Sequence, residues 1–121
     1  MRTIKFRAWD ESQKYMAIQG TPDLETIQSF FFHFGNFPLM QFTGLFDKNG
    51  VEIYEGDIIK VDIFSKPYLI SFGQSEKWGA CFCVQSHNSI TFLTKNWSST
   101  SEVIGNIHEN PDLIHGVPEL L

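Results

Sequence analysis

Near its start the chain alternates. "IKFRAW" (Ile4 to Trp9) sets Ile4, Phe6 and Ala8 against Lys5, Arg7 and Trp9, a period of two that predicts a strand with one buried face and one charged face. A turn-rich "DESQK" separates it from "YMAI", the return strand of a first hairpin. In "TPDLETIQSFFFHFG" the period changes. Leu24, Ile27, Phe31 and Phe34 recur at helical spacing, with Thr21 placed to cap, Pro22 at the first helical position and Asp23 on the dipole. The aromatic run "FFFHF" has the opposite, strand-forming preference. Residues 22–34 therefore read equally as a short helix or as a strand, and Gly35, Asn36 and Pro38 end the element in either case.

From residue 39 the pattern is that of strands and tight turns. "LMQFTGLF" is a strand. "DKNG" places Asp47 at the first position of a type I turn and Gly50 where a bulged hairpin needs a residue without Cβ. "VEIY" returns, with Val51 and Ile53 facing one way. Gly56 then permits a sharp bend, where the Asp57 carboxylate can accept hydrogen bonds from nearby backbone amides. "IIKVDIF" leaves as a β-branched strand. Residues 40–61 are thus expected to form consecutive edges of one closed small barrel. The runs "YLISF", "ACFCVQ", "ITFLTK" and "EVIGNI" follow, separated by "GQSEKWG", His87-Asn88 and the polar loop "NWSSTS". Strands spaced by roughly a dozen residues mark a sandwich or barrel.

Composition agrees with this class. A chain of 121 residues fits one domain, 1–121, and shows no internal repeat, low-complexity tract or linker. Hydrophobic residues at 42% and charged residues at 19% are ordinary for a globular fold. The 12 Phe, 3 Tyr and 3 Trp favour pleated, half-buried surfaces. The net charge of −5 repels phosphate polyanions, so duplex DNA is not expected as a partner. No apolar run approaches the roughly 18 residues of a membrane span, and the charged start "MRTIKFRAWD" lacks a signal-peptide core, which points to a cytoplasmic protein with no membrane partner. Cys81 and Cys83, two apart in a strand, are poorly placed for a disulfide and are expected as reduced thiols.

Three blocks resemble the YopX family of phage and prophage proteins: "IKFRAWD" (Ile4 to Asp10), "MQFTGLFDKNGVEIYEGDIIKV" (Met40 to Val61) and "EVIGNIHENPDLI" (Glu102 to Ile114). The central block carries most of the specificity. Where family members often have Tyr, this chain has Phe42 and His108, both still flat rings. The resemblance implies a mainly β fold of several coiled antiparallel sheets containing an SH3-like barrel, with at most one short helix, and a phage context in a bacterial host cell. It implies no activity, because fold alone does not carry function.

Candidate chemistry is sparse. Glu52, Glu55, Asp57 and Asp62 offer carboxylates for acid/base work or a metal, but Glu52 and Asp62 alternate outward and Asp57 has a turn to stabilise. Cys81, Cys83 and His87 form a C-x-C-x3-H set of zinc-ligand types, yet the spacing departs from C-x2-C, and a buried pair of strand thiols is the favoured interpretation. His33, His108 and His115 are scattered, the serines at 98, 99 and 101 sit in the polar loop, and Gly44, Gly50 and Gly56 each have a turn or strand explanation. The chain is therefore expected not to be an enzyme and to need no cofactor or metal. Trp78 and Trp97 are the candidate binding residues, either as loop aromatics that meet a partner or as plugs that close the ends of a barrel core. The leading expectation is a non-enzymatic protein–protein interaction module, with a protein partner of unknown identity and self-association into a homo-oligomer as possibilities. Its alternative is single-stranded nucleic-acid binding, with Trp78 and Trp97 stacking on bases and Lys66, Lys77 and Lys95 meeting phosphates. Asn110-Pro111 and the tail "GVPELL" pack either across a neighbouring subunit or over their own barrel.

Overall fold

In the computed structural model, residues 3–62, 66–75, 79–86 and 89–114 are described. Trp78, Lys77, His87, His115 and the tail "GVPELL" lie outside them. Among the described residues the protein is mainly β, in two antiparallel sheets of which one is curled into a half-barrel. The first sheet runs β2 (Tyr15–Ile18), β1 (Phe6–Asp10), β3 (Leu39–Phe46), β4 (Glu52–Tyr54), and the second β8 (Ser89–Phe92), β7 (Gly79–Ser86), β6 (Tyr68–Ser75), β5 (Asp57–Lys60), β9 (Glu102–Asn106). Helix α1 (Ile27–Phe34) precedes β3, helix α2 (Lys95–Thr100) precedes β9, and a 3-10 turn (Pro111–Ile114) follows it.

Strand β1 departs from its expected single buried face. Arg7, Ala8 and Trp9 are all buried, because the first sheet is covered on both sides. Ala8 and Ala17 form a small-residue floor onto which Phe30 of α1 packs, with Leu24, Phe34 and Leu39 around it. On the opposite face Trp9 joins Met40, Phe42 and Tyr54. The face that looked charged is instead the one that meets the second sheet.

Residues 27–34 are helical, and the helix starts later than Thr21. Asp23 has φ of 71°, a left-handed conformation that no α-helix continues through. Thr26 caps instead. Its Oγ1 accepts from Ser29 N at 3.0 Å, while Ser29 Oγ accepts from Thr26 N at 3.2 Å, a reciprocal capping box.

The supposed polar loop "NWSSTS" is also helical. Thr94 Oγ1 accepts from Trp97 N at 3.3 Å, and the hydroxyls that usually compete with helix satisfy themselves on carbonyls one turn back: Ser98 Oγ on Lys95 O and Thr100 Oγ1 on Asn96 O, both at 2.9 Å.

The stretch 40–61 does not close a cylinder. It is divided at Gly56, φ 88°, with β3 and β4 in the first sheet and β5 in the second. β5 is buried on both faces: Ile59 packs with Ile53, Ile70 and Val84, and Ile58 with Leu69 and Ile114. The core thus runs through the corner between the sheets. Among the described residues, no helix is long and apolar enough to cross a membrane.

Candidate functional site

The two turns that flank β4 position most of the polar chemistry. In "DKNG" the Asp47 carboxylate accepts from Asn49 N at 2.8 Å and Val51 N at 2.9 Å through Oδ1, and from Val103 N at 2.9 Å through Oδ2. One side chain thereby shapes a hairpin and ties it to β9. Gly50 takes the left-handed φ of 81° that the turn requires.

At the second turn, Asp57 Oδ2 accepts from Tyr54 N at 2.8 Å, the backbone-amide contact expected of it. Its other oxygen accepts from Arg7 Nη2 at 2.7 Å, a buried ion pair that joins the two sheets. The guanidinium lies 4.6 Å from the Tyr54 ring centroid and within 3.4 Å of Met40 Sδ. Burial pushes the Asp57 carboxyl up from its ordinary range, opposed by Arg7 and by the Tyr54 amide. Burial first, and then the neighbouring Glu52, push the Tyr54 phenol up.

These carboxylates have separate duties. Glu52 accepts from Lys5 Nζ at 3.1 Å on both oxygens and from Tyr54 Oη at 3.2 Å. Glu55 Oε1 accepts from Gln41 N at 2.9 Å. Among the described residues no three His, Cys, Asp or Glu side chains converge as a metal site. An open cleft of about 340 Å³ beside the ion pair is lined by Arg7, Glu52, Tyr54, Asp57, Asn106 and Glu109, among others. Its polar groups are largely occupied with one another. Nearby, His108 stacks on Trp9 with ring centroids 6.0 Å apart, and burial, followed by the Arg7 charge, holds its imidazole below the usual histidine range.

Of the two candidate tryptophans, Trp78 lies outside the described residues. Trp97 sits on α2, half-buried, edge-on to Tyr68 at 5.1 Å and packed against the Ile53, Ile59, Ile70, Val84 cluster. Lys66 and Lys95 are exposed. Lys95 lines a groove of about 480 Å³ with Phe46, Lys48 and Ser99.

A different surface stands out. All four residues of β8 are exposed, with Ile90 at 59% and Phe92 at 36%. Among the described residues β8 pairs with β7 alone. The bond from Leu93 N to Phe82 O and the β7–β8 register make Val84–Thr91 a bonded pair, so the Ile90 N–H and C=O point away from β7. Exposed Phe72 stands edge-on to Phe82 at 5.1 Å on the neighbouring strands. The far edge of the same sheet is treated differently, since Asp47 and the Lys48 N–H engage β9 and Ser101. The sequence signal for this surface was the alternation in "ITFLTK"; whether its strand lies central or at an edge is not encoded locally.

Fold and surface together define a two-sheet β domain with a curled half-barrel, pinned by a buried ion pair and carrying the exposed strand β8. The YopX protein family matches residues 21–115, and the chain belongs to that family. The matched span contains Asp57 but begins after Arg7. The crystal structure of protein EF1440 from Enterococcus faecalis has the same fold, with a TM-score of 0.62 at 28% identity over 95% of this chain and 100% of that one. No curated protein matches the chain.

Proposed function

We propose that this chain is a non-enzymatic interaction module of phage or prophage origin, acting in the cytoplasm of a bacterial host, and that it binds a protein partner by adding an extended segment of that partner to β8. The exposed β8 edge carries this interpretation. A strand edge offers main-chain donors and acceptors for affinity, and flanking apolar side chains supply specificity. The net charge of −5 favours a protein partner over a polyphosphate one. In the competing interpretation Trp78 and Trp97 stack on the bases of a single-stranded nucleic acid and Lys66, Lys77 and Lys95 meet its phosphates.

The test is Ile90→Pro. It deletes an N–H that points away from β7, so the β7–β8 ladder stays intact while docking at the edge is blocked. Affinity capture and sedimentation of the wild-type protein should show a partner, or a second copy, that this variant loses at unchanged melting temperature. Equal behaviour of the two proteins rejects docking at β8. Tryptophan quenching by oligonucleotides that weakens steeply with salt would favour the nucleic-acid alternative.

A further inference from the structure

Only part of Arg7 is engaged by the ion pair. Its Nη2 donates to Asp57 Oδ1 at 2.7 Å and reaches the Glu55 carbonyl at 3.5 Å, and its Nε faces Met40 Sδ at 3.4 Å. No hydrogen bond among the described residues takes Nη1, which carries two of the five guanidinium N–H donors. The Ser71 hydroxyl is the one enclosed side-chain polar atom left unsatisfied among the described residues, so Nη1 is not enclosed. It meets solvent in the cleft of about 340 Å³ that Arg7 lines, although the residue as a whole is 8% exposed.

The same cleft has a second open polar position. Glu109 is exposed, and its Oε2 accepts from Asn106 Nδ2 at 2.7 Å, which leaves Oε1 without a partner among the described residues. Glu52, by contrast, is occupied by Lys5 and Tyr54. Ile18, Val51 and Val103 add an apolar wall, with Ile18 and Val51 exposed.

Charge decides what such a cleft can hold. Arg7 stands among three carboxylates, Glu52, Asp57 and Glu109, and Lys5 offsets the charge of Glu52. An anion would approach a guanidinium already matched by Asp57 and would meet the charge of Glu109. A cation attracted by Glu109 would bring like charge up to Arg7. A neutral chain with acceptors and donors at intervals meets neither penalty, and successive amides of a polypeptide are such a chain.

We propose that this cleft is a subsite for an uncharged polypeptide segment. A main-chain carbonyl of the segment accepts from Arg7 Nη1, an amide N–H donates to Glu109 Oε1, and a small aliphatic side chain lies against Ile18, Val51 and Val103. Asp57 holds the guanidinium in place before the ligand arrives, so little ordering is left to binding. The subsite lies at the β9 end of the second sheet, with β7, β6 and β5 between it and β8, and it does not depend on docking at β8.

The full chain, isotope-labelled for nuclear magnetic resonance, is titrated with N-acetyl-alanyl-valinamide, with its free-carboxylate form and with its free-ammonium form. The neutral peptide is expected to shift the Arg7 Nε–H and the Val51 and Val103 methyl signals saturably, while the β8 signals stay in place. Either charged form should bind about threefold weaker or more. Glu109→Gln keeps an acceptor for Asn106 and removes the charge, so it should weaken the neutral peptide and narrow its advantage over the carboxylate form. Val51→Trp fills the cleft at a position whose backbone N–H stays bonded to Asp47, and should block binding at unchanged melting temperature. Absent saturation at the cleft signals, wild-type binding of the carboxylate form as tight as that of the neutral one, an advantage unchanged in Glu109→Gln, or saturable shifts at β8 alone would each overturn the proposal.

Discussion

At the scale of single residues, the most consequential contact is the one between Arg7 and Asp57. Asp57 is 1% exposed, and both its oxygens are engaged. Removing one member of a buried pair strands the other's charge away from water. Asp57→Ala is expected to destabilise the fold by about 3–5 kcal/mol in urea unfolding. Replacing Arg7 and Asp57 together by apolar residues should cost less than the sum of the single changes. His108 provides a pH test. Its folded proton affinity lies below the unfolded value, so the unfolded state binds more protons, and stability is full above the unfolded histidine range and falls as pH drops through the folded value. His108→Phe should flatten that part of a melting-temperature profile. Half of the Asp57 arrangement was legible in the sequence, because "EGD" announces a turn whose carboxylate caps amides. Arg7 was not, since its partner stands 50 positions away and alternation alone assigned it to solvent.

At the scale of elements, side-chain satisfaction overrides propensity. Both helices are secured at their first turn by threonine, and Thr26→Ala should cost about 1 kcal/mol in thermal or chemical unfolding. The serines and threonines of α2 looked like loop formers because they compete with backbone hydrogen bonds. In place they bond back to Lys95 and Asn96 carbonyls, and Trp97 anchors the turn in the core. For α1, the spacing of Ile27, Phe31 and Phe34 competed on equal terms with the strand preference of the aromatic run; the helix forms, and its cap lies at Thr26 rather than Thr21 because Asp23 is left-handed. Gly56 was correctly legible as a bend. A Cβ at this φ is strained and would also meet Met40 Sδ at 3.1 Å, so Gly56→Ala should destabilise by about 1–2 kcal/mol.

At the scale of the whole molecule, the strands and turns were legible and their assembly was not. Local alternation marks a strand without saying which sheet it joins, so residues 40–61 read as one continuous wall although Gly56 divides them between two. The mainly β class and the YopX resemblance carried through because both rest on turn chemistry, which is local. Hydrogen exchange should rank the elements accordingly. Amides of β5, buried on both faces, should exchange slowest, and the Ile90 amide of β8 among the fastest. The ranking fails if β8 is as protected as β5 in the isolated protein.

The ion pair between the sheets also orders events during synthesis. Arg7 emerges from the ribosome 50 positions ahead of the carboxylate that neutralises it, and Asp57 in turn pairs across the ladder with Asn106. Until Asp57 is made, the opening hairpin has a cation to bury and nothing to bury it against, and until β9 is made Asp57 lacks its own ladder partner. Nascent chains should therefore remain open to chaperones and proteases until translation passes β9, and then close in a single late step whose speed is set by long loop closures.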